Sequence, residues 1–152
     1  MAVIPKKDIK LLLLLFLLVF IFSYGYKTYW VIGDSMAPSN KNLEVVLVDR
    51  LHYKFEKPQQ GDVIVFYDFH EDDLMIKRVI GLPGDMIQII DGFIYKNGFL
   101  YLDGFAHIRI CDYSSHYPEE LGEGEYWVIG DNRDDTWWGV VYENEIIGKI
   151  KD

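Results

Sequence analysis

Gly33-Asp34-Ser35-Met36-Ala37-Pro38 sets a serine in a turn-like segment, between a glycine and a proline that lacks the N–H for regular pairing. Such a serine is exposed in a fixed bend, where it can act as a nucleophile if a base lies nearby. Ala37 replaces the second glycine of a G-x-S-x-G elbow and no helical pattern follows, so the α/β-hydrolase arrangement is excluded. Lys77 is the candidate base. Met75, Ile76, Val79 and Ile80 surround it with apolar side chains, and desolvation disfavours the ammonium and lowers its pKa toward neutrality. Each residue also has an ordinary reading, Ser35 as a turn or capping device and Lys77 as the solvent-facing residue of a half-buried strand.

Other chemistry is thin. His52, His70, His107 and His116 lack metal-ligand spacing, and no glycine-rich phosphate cradle or cysteine pair is present, so no metal or cofactor is expected. Glu71-Asp72-Asp73 reads as a solvated acidic loop. Cys111 is the single cysteine, which rules out an intrachain disulfide and fits a small buried hydrophobe. A formal net charge of -9 excludes a nucleic-acid surface, which needs clustered Lys and Arg.

The elements that must position these residues are mostly strands. Aromatic residues make up 16% of the 152, and they join β-branched residues in short alternating runs. Residues 43–48, 62–67 and 74–80 read as three strands before the turn at 81–85. Residues 86–90, 93–96 and 99–102 read as successive hairpins, with Asn97-Gly98 the best two-residue turn. An irregular loop over 103–125, a strand at 126–129 and a last strand at 146–150 complete the expectation.

Ahead of them, residues 11–22 (LLLLLFLLVFIF) are wholly apolar, and the tolerant flanks extend the run to nearly the ~20 residues a bilayer requires. Lys6, Lys7 and Lys10 precede it and Lys27 follows, which puts the N-terminus in the cytoplasm and the rest outside. A cleavable secretory signal, with small residues at Ser23 and Gly25, is the competing reading of the same stretch.

Four segments in order, GDSMAPS at 33–39, GDVIVF at 61–66, KRVIGLPGD at 77–85 and GDNR at 130–133, resemble the type I signal peptidases. The resemblance, which with the span covers most of the chain, implies a small antiparallel β-sheet or partial-barrel catalytic domain behind one transmembrane helix. It divides the chain into a cytoplasmic tail and signal-anchor (1–27) and an extracytoplasmic catalytic domain (28–152) with a hairpin insert at about 86–125. It implies that Ser35 attacks the scissile carbonyl, that Lys77 takes its proton, and that the Ser35 N–H stabilises the oxyanion. Gly33, two residues earlier, lends no hydroxyl to that task. Met36 and Ile76 match pocket-lining positions for extended substrates with small side chains one and three residues before the cut. Arg78 and Asp131 match supporting positions that an ion pair would join. Implied partners are preprotein signal peptides and the lipid bilayer; oligomeric state is not indicated.

The chain departs from the family pattern after Arg133. Asp134-Asp135-Thr136 runs straight into Trp137-Trp138-Gly139, so an Asp-Ser-Arg element has no match and Thr136 stands in the place of the serine that orients the lysine. Two alternatives therefore stay open: a processing peptidase dedicated to one substrate such as a pilin, and a non-catalytic homologue that only binds peptides.

Overall fold

The structure, a computed structural model, describes residues 6–104, 110 and 116–151; Cys111 and His107 fall outside them. The first element is α1 (Lys6–Gly25), whose leucine-rich run favours helix and has no polar face to turn toward a core. Accordingly its described apolar side chains, Leu11 to Phe20 and Phe22, are exposed all round. The stretch from Asp8 to Gly25 has a mean hydropathy of 2.1, long and apolar enough to cross a membrane. The carbonyl of Gly25 accepts a hydrogen bond from the Arg50 N–H at 2.7 Å, and the chain passes without a linker into β1 (Tyr26–Trp30).

The remaining strands are β2 (Val45–Asp49), β3 (Val63–Asp68), β4 (Asp73–Gly81), β5 (Met86–Ile90), β6 (Phe93–Lys96), β7 (Phe99–Leu100), β8 (His116–Glu120), β9 (Glu125–Ile129), β10 (Trp138–Tyr142) and β11 (Ile146–Ile150). They form a seven-stranded sheet, β1-β2-β11-β3-β4-β9-β10, and a four-stranded sheet, β7-β6-β5-β8, with every pairing antiparallel. The molecule is thus mainly antiparallel β behind one apolar helix.

The centre of the large sheet explains its sequence. β3 is covered on both faces, so Val63-Ile64-Val65-Phe66 reads as an unbroken apolar run. Val63 and Val65 pack with Val31, Met36, Val46, Val48 and Ile150, while Ile64 and Phe66 pack on the other side with Val79, Tyr126, Val128 and Val141. A third core, including Ile80, Ile87, Ile89, Trp127 and Ile129, joins the small sheet to the end of the large one. Within the small sheet, Asn97 and Gly98 both take positive φ, 54° and 81°, as a tight hairpin between β6 and β7 demands.

Three strands escape the sequence expectation. β1 is hidden because the apolar helix runs directly into it with no turn residue between them, and YKTYW carries no apolar alternation of its own. β8 lies in the stretch read as irregular loop; it is a polar edge strand containing Pro118, which a sheet tolerates only at its margin. β10 is short and half-buried at the other margin, beside β9.

Candidate active site

Lys77 lies in β4, held by register pairs Ile64↔Lys77 on one side and, one residue on, Arg78↔Ile129 on the other. Its side chain is buried, with 4% of the residue exposed, and its amine reaches the Ser35 Oγ at 2.9 Å and the Ile76 carbonyl at 3.0 Å. Burial lowers the Lys77 pKa from 10.5 to about 8. An amine poised near neutrality and in contact with a hydroxyl has the geometry of a general base.

Ser35 belongs to no strand. The loop around it is closed by Ala37 N–H donating to the Asp34 carbonyl at 2.9 Å and Asn40 N–H to the Met36 carbonyl at 2.9 Å. Gly33, at φ 95°, occupies a conformation that side chains resist, and its N–H donates to Asn42 Oδ1 at 3.1 Å. Among the described residues no acceptor meets the Ser35 N–H, which leaves it available to a developing oxyanion.

The turn after β9 reaches over to hold both regions. Asn132 donates its N–H to the Ser35 carbonyl at 3.0 Å and its side-chain amide to the Asp34 carbonyl at 3.2 Å. Asp131, fully buried, accepts Arg78 Nε and Nη2 at 2.7 Å each, a bidentate pair tying the lysine strand to this turn. Arg78 also donates to the Gly61 carbonyl at 2.7 Å and to Ser39 Oγ at 3.4 Å. Gly130 must be glycine on steric grounds: a Cβ there would overlap the Ser35 carbonyl oxygen and the Thr136 hydroxyl. Arg133, also buried, donates to the Gly130 carbonyl at 3.1 Å and to Asp103 at 2.6 Å.

A groove of about 460 Å³ opens beside the serine and lysine, between Tyr29-Trp30-Val31-Ile32 and the first half of β4. Met36 and Ile76 line it, Met36 fully buried and Ile76 half-buried. β9 pairs with β4 only from Arg78 onward, so among the described residues the outer edge of Asp73–Lys77 carries no partner strand.

Residues 6–151 match the family described as signal peptidase, peptidase S26. The chain belongs to that family. Membership places it among the serine endopeptidases, a class of hydrolases. It is 30% identical over 142 residues to signal peptidase IB of Staphylococcus aureus, covering 80% of this chain and 74% of the relative. Over 146 residues it is 27% identical to a probable signal peptidase I-2 of Synechocystis sp., covering 85% of this chain and 65% of that one. A crystal structure of a signal peptidase I from Enterococcus faecalis V583 aligns with 63% of this chain and 98% of that chain, at 26% identity and a TM-score of 0.48.

In this member of the family the structure brings Ser35, Lys77, Met36 and Ile76 together around one groove and joins Arg78 to Asp131. Thr136, expected beside the lysine, makes its hydrogen bonds within its own turn. Its hydroxyl accepts from the Gly130 N–H at 3.0 Å and donates to the Trp137 carbonyl at 3.0 Å. The shortened segment after Arg133 folds that side chain back onto its own turn. The clamp by Asn132 was not legible beforehand, since GDNR fits an ordinary β-turn equally well. Its one signal was the position of the box among the four.

Proposed function

We propose that the chain is a membrane-anchored signal peptidase that cuts exported preproteins after small residues, with Ser35 as nucleophile and Lys77 as general base. The observation that carries this reading is the 2.9 Å approach of a buried Lys77 amine, its pKa lowered to about 8, to the Ser35 hydroxyl. The neutral amine takes the Ser35 proton as Oγ attacks the scissile carbonyl, and the oxyanion forms toward the Ser35 N–H. The resulting ammonium returns the proton to the leaving amine, giving an acyl-enzyme. Water then attacks the acyl carbon as it gives its proton to the same lysine, and the ammonium returns that proton to Ser35 Oγ as the C–Oγ bond breaks and the acid is released.

Substrate recognition follows from the open edge of β4. An extended peptide can add as a strand against Asp73–Lys77, directing alternate side chains toward Met36 and Ile76, whose proximity favours small ones. The apolar α1 serves as the anchor, and the lysines before it set the N-terminus in the cytoplasm and Ser35 outside, near the lipid surface. On this reading residues 1–27 are the tail and anchor and residues 28–152 the catalytic unit, with the hairpin insert at about 86–125.

The test offers the full chain, in detergent, a preprotein bearing an A-x-A site. Cleavage at that site by the wild type and none by Ser35→Ala is the expected result. An inert wild type, or a Ser35→Ala variant that still cuts, sinks the proposal. Access of the domain to protease added outside intact vesicles checks the topology.

A further inference from the structure

An oxyanion donor works only if it is fixed before charge develops, and the Ser35 N–H belongs to the peptide unit joining Asp34 to Ser35. In a trans peptide the C=O and N–H point in opposite directions, so whatever holds the Asp34 carbonyl also aims the Ser35 N–H. Two donors hold that carbonyl: the Ala37 N–H, which is part of the loop itself, and the Asn132 side-chain amide, which comes from 98 residues further along the chain. The next peptide unit is anchored in the same way, because the Asn132 N–H binds the Ser35 carbonyl. One residue therefore fixes the peptides on both sides of the nucleophile while touching neither Ser35 Oγ nor Lys77. A hydrogen-bonded carbonyl also polarises its own peptide, which strengthens the N–H as a donor.

We infer that Asn132 is the positioning residue for the oxyanion donor of this site, acting through the Asp34 carbonyl. The inference rests on the reading of Ser35 as nucleophile. It separates the duties of the GDNR turn: Asp131 secures the lysine strand through Arg78, and Asn132 orients the serine peptide.

The experiment measures full-chain cleavage of a small-residue substrate by Asn132→Ala and Asn132→Asp. Asn132→Ala is expected to lower kcat about tenfold with KM kept within about twofold, because the donor matters to the transition state and not to ground-state peptide pairing. Asn132→Asp, which turns a carboxylate oxygen toward a carbonyl oxygen, is expected to lower it further, to about a hundredth. The pKa seen in the pH profile of kcat/KM stays near that of the wild type, since Lys77 is untouched; a merely disrupted site would shift it. Full kcat in Asn132→Ala, or a loss seen in KM alone, overturns the inference. A second measurement does not depend on turnover: in Ser35→Ala protein, the scalar coupling across the hydrogen bond from the Asn132 amide nitrogen to the Asp34 carbonyl carbon is expected by NMR. Its absence overturns the inference, whereas an inert wild type together with the coupling present in Ser35→Ala overturns the functional reading and leaves the clamp standing.

Discussion

The lysine strand and the serine loop meet at one 2.9 Å contact but are held in different ways. Lys77 sits inside a nine-residue strand whose pairing with β3 runs from Asp73 to Arg78, and its surroundings are apolar. Ser35 sits in a loop shaped by a few hydrogen bonds, two of them from a turn almost a hundred residues later. A sheet position is fixed by many small interactions at once, while a loop position depends on each bond that makes it. Lys77 is therefore robustly placed but costly to bury, and Ser35 is easily accommodated but easily misplaced.

The largest effect should come from removing Lys77, the proposed base. Lys77→Met keeps the volume and apolar character of the site, so cleavage is expected to fall by about 10³-fold or more while the thermal transition rises, because a buried amine is replaced by a packed side chain. A lowered transition would show that the strand depends on Lys77 and break the contrast. Next comes the link between the regions. Asp131→Ala leaves Arg78 without its bidentate partner and is expected to cost about 3 kcal/mol of stability, read by denaturant unfolding.

The pH profile sharpens the comparison further. Only neutral Lys77 can accept the Ser35 proton, so kcat/KM is expected to rise about tenfold per pH unit below a pKa of about 8 and to level above it. An inflection near the ordinary lysine value of 10.5 would mean that burial does not poise the base. The smallest effect belongs far from both regions: Lys57 pairs with Glu143 on the surface, and Lys57→Ala is expected to leave both the melting transition and cleavage unchanged.

Much of this contrast was readable along the chain. The apolar run before Lys27, the alternating strands and the Asn97-Gly98 turn carry their own physics, since each depends on local spacing and φ preferences. β1, β8 and β10 were not readable, because all three are sheet margins whose pairing is a tertiary matter, and β1 also follows the helix without a turn. Asn132 was missed because an amide in a turn looks the same whether it caps itself or reaches across the molecule.

The sequence by itself determined the β class, the apolar helix and the pair of residue types, a turn serine and an apolar-flanked lysine, that the proposed chemistry requires. Only the tertiary structure decided which groups those residues meet. It gave the Thr136 hydroxyl the Gly130 N–H and the Trp137 carbonyl, and gave Asn132 the Asp34 and Ser35 carbonyls. The physical reason is that residue type sets what a side chain can donate or accept, whereas direction and distance are settled only when strand register brings separate turns together.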